Sequence, residues 1–157
     1  MPLSKLSTTI NAPVERCFLL SLNVDLHQLS TGRTNEKAIA GVMSGVMKLN
    51  DTVTWRAKHF GIYQTLTSKI TEYKYPEYFV DEMTEGVFKK LHHRHTFESD
   101  ENGTIMTDEF DFEAPFGMLG KLFSKLVLTN YLKKFLIERN LMIKGFAEGD
   151  GWRKLLS

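Results

Sequence analysis

The chain has 157 residues, 42% of them hydrophobic and 25% charged, with a formal net charge of +1. That balance excludes a disordered chain, and the near-zero net charge excludes an overall field for nucleic acid. The lone cysteine, Cys17, excludes an intrachain disulfide and fits a reducing, cytoplasmic setting. Its apolar neighbours Phe18, Leu19 and Leu20 read it as a small buried hydrophobe. The N-terminus has no charged segment followed by a long apolar run, so no signal peptide is expected. No stretch reaches the roughly 20 apolar residues of a membrane span. The longest candidate, residues 116–128, is interrupted by Lys121 and Lys125. The length fits one domain over residues 1–157.

In chain order, residues 4–11 alternate as a strand, with Leu6, Thr8 and Ile10 on one face. Asn11 or Ala12 is positioned to cap a helix over 14–22, with Pro13 tolerated in its first turn. A second short helix is expected over 24–29. From Asn35 the pattern changes to period two, giving strands at 36–42, 51–59, 62–73, 78–84, 88–98 and 103–113. Asn50-Asp51, Phe60-Gly61, Tyr75-Pro76, Glu85-Gly86 and Asn102-Gly103 carry turn chemistry between them. The last third is helical. Phe116, Leu119, Leu122, Phe123, Leu126 and Val127 form one apolar stripe. Leu128, Leu132, Phe135, Leu136, Met142, Ile143 and Phe146 form a second, out of phase with the first. The phase change predicts a break near 128–131, with Thr129 or Asn130 as a cap, and a helix running to about Ala147. The expected fold is α+β: a seven-stranded curved antiparallel sheet wrapping a long C-terminal helix, with two short helices after the first strand.

A sheet curled around one helix leaves an internal space. Strand parity assigns its lining. Trp55 and His59 point inward, as do Ile62, Leu66 and Ile70, then Phe79, Asp81 and Met83. Leu91, His93 and His95 follow, then Met106, Asp108 and Phe110. The helix adds Leu132, Phe135, Arg139 and Met142. Parity sends His92 outward. An apolar lining with a few polar groups is how a small-molecule pocket is built. The Asn102-Gly103 hairpin brings His93 or His95 opposite Asp108. That pairing suits a structural or ligand-orienting network, or a general base with its orienting carboxylate. A metal reading would need Asp81 or Asp108 as third ligand, and no metal-binding or cofactor motif supports it. Arg139, inside an apolar stripe, needs a carboxylate partner or the head group of an anionic ligand. Residues 41–47, apolar and punctuated by glycine, read as a lid, a partner patch or packing against a helix end.

Several local patterns, in order, resemble the SRPBCC superfamily of helix-grip proteins. They are Ile10-Asn11-Ala12-Pro13, the run from Val53 to Gly61, Pro76 to Asp81 and Gly86-Val87-Phe88. His93-Arg94-His95-Thr96-Phe97, Gly103-Thr104 with Met106 and Asp108, Ala114-Pro115-Phe116-Gly117 and Arg139 complete the set. The superfamily includes START lipid-transfer domains, pollen-allergen-like proteins and polyketide cyclases. Within it, the chain resembles the bacterial single-domain ligand-binding SRPBCC or cell-division-inhibitor-like group. The resemblance implies a helix-grip fold and a hydrophobic ligand such as a lipid, isoprenoid or aromatic, without specifying a reaction. The leading expectation is a non-catalytic binder. A cyclase or dehydratase using His93 or His95 with Asp108 is the alternative, and an interaction module the third. No cofactor, nucleic acid or integral membrane segment is expected, and exposed sheet edges leave homodimerisation open.

Overall fold

A computed structural model describes residues 3–31, 35–59, 61–113 and 127–157. Strand β1 (Leu3–Ile10) is followed by helices α1 (Val14–Ser21) and α2 (Val24–Ser30). Then come β2 (Lys37–Gly41), β3 (Thr52–His59), β4 (Ile62–Lys74), β5 (Tyr78–Glu85), β6 (Lys90–Asp100) and β7 (Gly103–Glu113). The long helix α3 (Thr129–Glu148) and a short α4 (Trp152–Leu156) close the chain. The seven strands form one antiparallel sheet in the order β1-β7-β6-β5-β4-β3-β2, a meander closed by β1 against the last strand.

The turn residues set this register. Gly103 has φ +139°, and a Cβ there would lie 2.3 Å from the Ile10 carbonyl oxygen. Only glycine lets the β6–β7 hairpin pass that close to the end of β1. The hairpin in turn places His95 opposite Asp108. A β-bulge between Ile70 and Glu72 shifts β4 by one residue, so Ile70 and Tyr73 both pack into the core despite their odd spacing. Phe18 of α1 meets the rings of Tyr73, Tyr75, Phe79 and Phe97 edge-on, at centroid distances of 5.2–5.5 Å. This aromatic cluster fills one end of the sheet's concave face.

Helix α3 has two different halves. Its C-terminal half buries Arg139, Asn140, Ile143 and Ala147 against β1 and α1. Its N-terminal half, from Tyr131 to Leu136, has no fully buried residue; Leu132 and Leu136 pack partly buried on Phe110 and Phe112 of β7. The cavity lies beside this less buried half.

Several local expectations need correction. The residue capping α1 is Pro13, held extended, because neither Asn11 nor Ala12 lies next to the first helical turn. At the start of α3 the cap position is Leu128, without a side-chain cap bond, rather than Thr129 or Asn130; the residues before 127, on which the expected break depends, lie outside the described ones. The β6 strand starts at Lys90, two residues late, since Phe88 packs towards Phe112 in the approach to the strand. Ile62 is 63% exposed, because β4 begins at the sheet's open end. The short α4 was not expected; Trp152 is held under the Arg16 guanidinium, 3.9 Å from its ring centre. The stripe from Phe116 to Leu126 and the Ala114-Pro115-Phe116-Gly117 pattern lie outside the described residues. No described helix is long and apolar enough to cross a membrane.

Candidate functional site

Between sheet and α3 lies a cavity of about 220 Å³. Its walls are mostly apolar: Trp55, Leu66, Phe79, Leu91, Phe110, Leu132 and Phe135 all reach it, with His59, Asp81, His93, His95 and Arg139. Five residues expected to line it stay out: Ile62 is exposed at the end of β4, and four others lie elsewhere. Met106 and Asp108 are fully buried behind the wall. Met83 turns towards Gly86 and Leu66 at the end of β5, and Met142 packs into the core beyond the cavity's end. The cavity also touches Asn23, His27, Glu36 and Leu136, which strand parity missed. Leu136 was visible in the helical stripe. Asn23 and His27 belong to α2 and its cap, and Glu36, expected in a strand over 36–42, lies just before β2.

One pole of the cavity is a hydrogen-bonded network spanning β5, β6, β7 and α3. His93 Nε2 lies 2.8 Å from Asp108 Oδ1, and His95 Nε2 lies 2.6 Å from Asp81 Oδ2. Neither bond follows the direct cross-strand register, which sets His95 opposite Asp108 and His93 opposite Asp81. The imidazoles reach to the diagonal neighbours instead, within range for long side chains. Arg139 Nη1 donates to Asp108 Oδ1 at 3.3 Å, and Asn140 Nδ2 donates to Asp108 Oδ2 at 2.7 Å. Arg139 Nη2 also lies 3.4 Å from His95 Nδ1. The carboxylate predicted to partner Arg139 is therefore Asp108.

Burial alone would raise the pKa of both carboxyls. Hydrogen bonds from His93 and His95, with the nearby Arg139 charge, overcome it and hold Asp108 well below the usual carboxylate range. Asp81 is likewise drawn down, against its burial and by its bond to His95, to about 2. Burial and the neighbouring His95 push His93 below its ordinary value, against the pull of Asp108. An ionised carboxylate only accepts, so His93 Nε2 carries the proton facing Asp108. Neutral His93 then has Nδ1 as a bare lone-pair acceptor, and Nδ1 has no hydrogen bond among the described residues.

Donor atoms of Asp81, His93 and His95 lie within 4.8 Å of one another, within reach of one metal ion. The two imidazoles, however, stack at 3.7 Å with their planes 21° apart. A ring nitrogen binds a metal in its ring plane, and two nearly parallel planes cannot both contain one ion without a ring turning. The arrangement fits a hydrogen-bonded network better than a metal centre.

The opposite pole is smaller. His27 and Glu36 pair with each other, and the His27 ring lies 4.3 Å from that of Trp55. His59 Nδ1 is 2.6 Å from the Tyr131 hydroxyl of α3. Burial lowers the His59 pKa, against the pull of Glu36, so this imidazole is also neutral near pH 7. The segment 41–47 packs against the helix ends at its far side: Val24 N–H donates to the Gly45 carbonyl, Met47 N–H to the Leu22 carbonyl, and Met47 alone of the segment reaches the cavity, while Met43 is 52% exposed.

A curled antiparallel sheet gripping a C-terminal helix around an apolar cavity defines the helix-grip class of ligand-binding proteins. The family described as "Polyketide cyclase / dehydrase and lipid transport" matches residues 26–136, and the chain belongs to it, within the SRPBCC superfamily. Among solved structures, TTHA0849 from Thermus thermophilus is similar at 16% identity and a TM-score of 0.70, covering 90% of this chain and 97% of that one. The major latex-like protein 151 of Panax ginseng gives 16% identity and a TM-score of 0.68, covering 93% and 97%. The di-domain ARO/CYC protein StfQ of the steffimycin biosynthetic pathway gives 12% identity and a TM-score of 0.73, covering 93% of this chain and 50% of that one. At these identities the likeness shows the fold. No curated protein matches the sequence.

Proposed function

We propose that the chain binds a hydrophobic small molecule, a lipid, isoprenoid or aromatic, in this cavity and holds it without transforming it. The observation that carries this reading is the apolar wall, together with a polar pole whose charges are already paired with one another. Asp108 and Arg139 satisfy each other, and His95 is engaged on both ring nitrogens. Such a pole orients a ligand; it holds no spare charge to drive a reaction. The fully buried, unpaired Cys17 supports a cytoplasmic setting. Native mass spectrometry of freshly purified protein, followed by organic extraction, is the test. A co-purifying apolar mass is expected. Bare protein that also fails to take up anilinonaphthalene sulfonate would sink the reading.

One observation favours a second reading, a cyclase or dehydratase. Neutral His93, with Asp108 on Nε2 and Nδ1 unbonded, has the arrangement of a general base and its orienting partner. If a recovered ligand loses water on incubation and His93→Leu stops the loss, the chain is an enzyme. A ligand recovered unchanged leaves it a carrier.

A further inference from the structure

The two ends of the cavity differ in their balance of charge. At the Asp108 pole the Arg139 guanidinium stands among the carboxylates and is bonded to one of them. The other end has a carboxylate without such a partner. The side chain of Glu36 lines the cavity and is only 8% exposed. Among the described residues no Lys or Arg pairs with it, and Arg139 is the only Lys or Arg in the cavity wall. His27 Nε2 donates to its Oε1, and no described residue bonds Oε2. An ionised carboxylate has about four acceptor sites, so one imidazole leaves most of them unfilled. Burial lowers the His59 pKa and the Glu36 charge pulls against it, so that charge is felt across this end of the cavity. Trp55, whose ring lies 4.3 Å from that of His27, forms the wall beside the pair. An indole attracts a cation as well as an apolar surface.

We infer that Glu36, with Trp55 beside it, is a cation subsite, and that the molecule held in the cavity presents a protonated amine to this end. This inference rests on the binding function proposed above and adds the sign of the ligand's charge. A buried carboxylate short of partners is costly. An ammonium group supplies several donors and the opposite charge together, which makes the bond stronger than one between neutral groups. A hydroxyl supplies the hydrogen bond without the charge. A carboxylate head group meets like charge and is disfavoured. A bare metal ion is a poor fit, because the wall around Glu36 is apolar and lacks the further oxygen ligands that a hard cation takes. The same apolar wall requires the amine to be carried on an aromatic or aliphatic body.

The test uses the full chain, delipidated, and calorimetry with three probes that share one apolar body: naphthylethylamine, naphthylethanol and naphthylpropionate. At neutral pH they are cationic, uncharged and anionic. The amine is expected to bind about tenfold to a hundredfold more tightly than the alcohol, the worth of a hydrogen bond to a charged group. The acid is expected to bind more weakly than the alcohol. Glu36→Gln keeps the size of the side chain and removes its charge, and it should bring the amine down to the affinity of the alcohol. A melting curve confirms that this variant folds, and the comparison of probes on the unaltered chain stands without it. Equal affinities for amine and alcohol, or tighter binding of the acid, overturn the cation subsite while leaving an apolar cavity in place. A preference for the amine that survives Glu36→Gln overturns the assignment to Glu36. Refusal of all three probes, with the uncharged dye Nile red still taken up, also overturns the subsite. Refusal of the dye as well overturns the binding function itself.

Discussion

Asp108 has no solvent exposure and accepts from side chains on β6 and α3: His93, Arg139 and Asn140. Replacing it with alanine leaves a buried guanidinium without its carboxylate. A loss of about 3–5 kcal/mol is expected, read by urea unfolding. Acid acts on the same group of residues. His93 titrates below its ordinary value of 6.5, so the unfolded chain binds its proton first, and stability declines as pH falls below about 6.5. Asp81 and Asp108 titrate below 3.8, so their contribution persists until the pH passes under that value and is then lost towards about 2. A stability profile that falls in two stages below pH 6.5 is expected, measured by chemical unfolding at each pH. Much of this pole was legible in the sequence. The hairpin signal at Asn102-Gly103 and strand parity together brought His93, His95 and Asp108 into one place. The diagonal bonds were not legible, because parity fixes a face and not which neighbour a long side chain reaches. Nor was the Glu36 pole: Glu36 reads as the head of a strand over 36–42, but the strand begins at Lys37 and leaves Glu36 to pair with His27 of α2.

Single elements obey the same division between what period determines and what contact determines. The strands were legible because their turns carry chemistry with one solution. Gly103→Ala forces a Cβ against the Ile10 carbonyl, so it should cost well over 1 kcal/mol and lower the melting temperature, seen by circular dichroism. The bulge in β4 was invisible, since one inserted residue changes parity without any compositional mark. In α3 the two halves share one amphipathic pattern, and only tertiary contact decides which half is more deeply buried. Tyr131 ties the less buried half to β3 through His59. Tyr131→Phe removes that bond and should cost only about 1 kcal/mol by urea unfolding, because the cavity and solvent beside it accept the freed imidazole nitrogen.

Taken whole, the molecule divides its interior into a packed end, under α1, and a hollow end, under the first turns of α3. A hollow lined by apolar side chains lacks contacts that a ligand restores. Occupancy and stability are therefore linked. A ligand present at about 100 times its Kd adds about 2.7 kcal/mol, a rise of roughly 5–10 °C in melting temperature for a chain of this size. Calorimetric scans before and after delipidation should show that difference, and a bound probe should restore it. The fold class and the existence of the hollow were legible from element order alone, since one helix cannot fill the concave face of seven strands. The hollow's shape was not, because it depends on how closely each half of α3 packs on the sheet.

The contact of Trp55 with His27 has an optical consequence. The chain has two tryptophans. Trp152 is half-buried against the core beside the guanidinium groups of Arg16 and Arg153, and it does not line the hollow. Trp55 lies in the cavity wall, 9% exposed, against an imidazole that Glu36 holds in place. A Trp152→Phe chain would emit from the wall alone. Its colour and yield would then report, without any added label, whether the space beside it holds water or a guest.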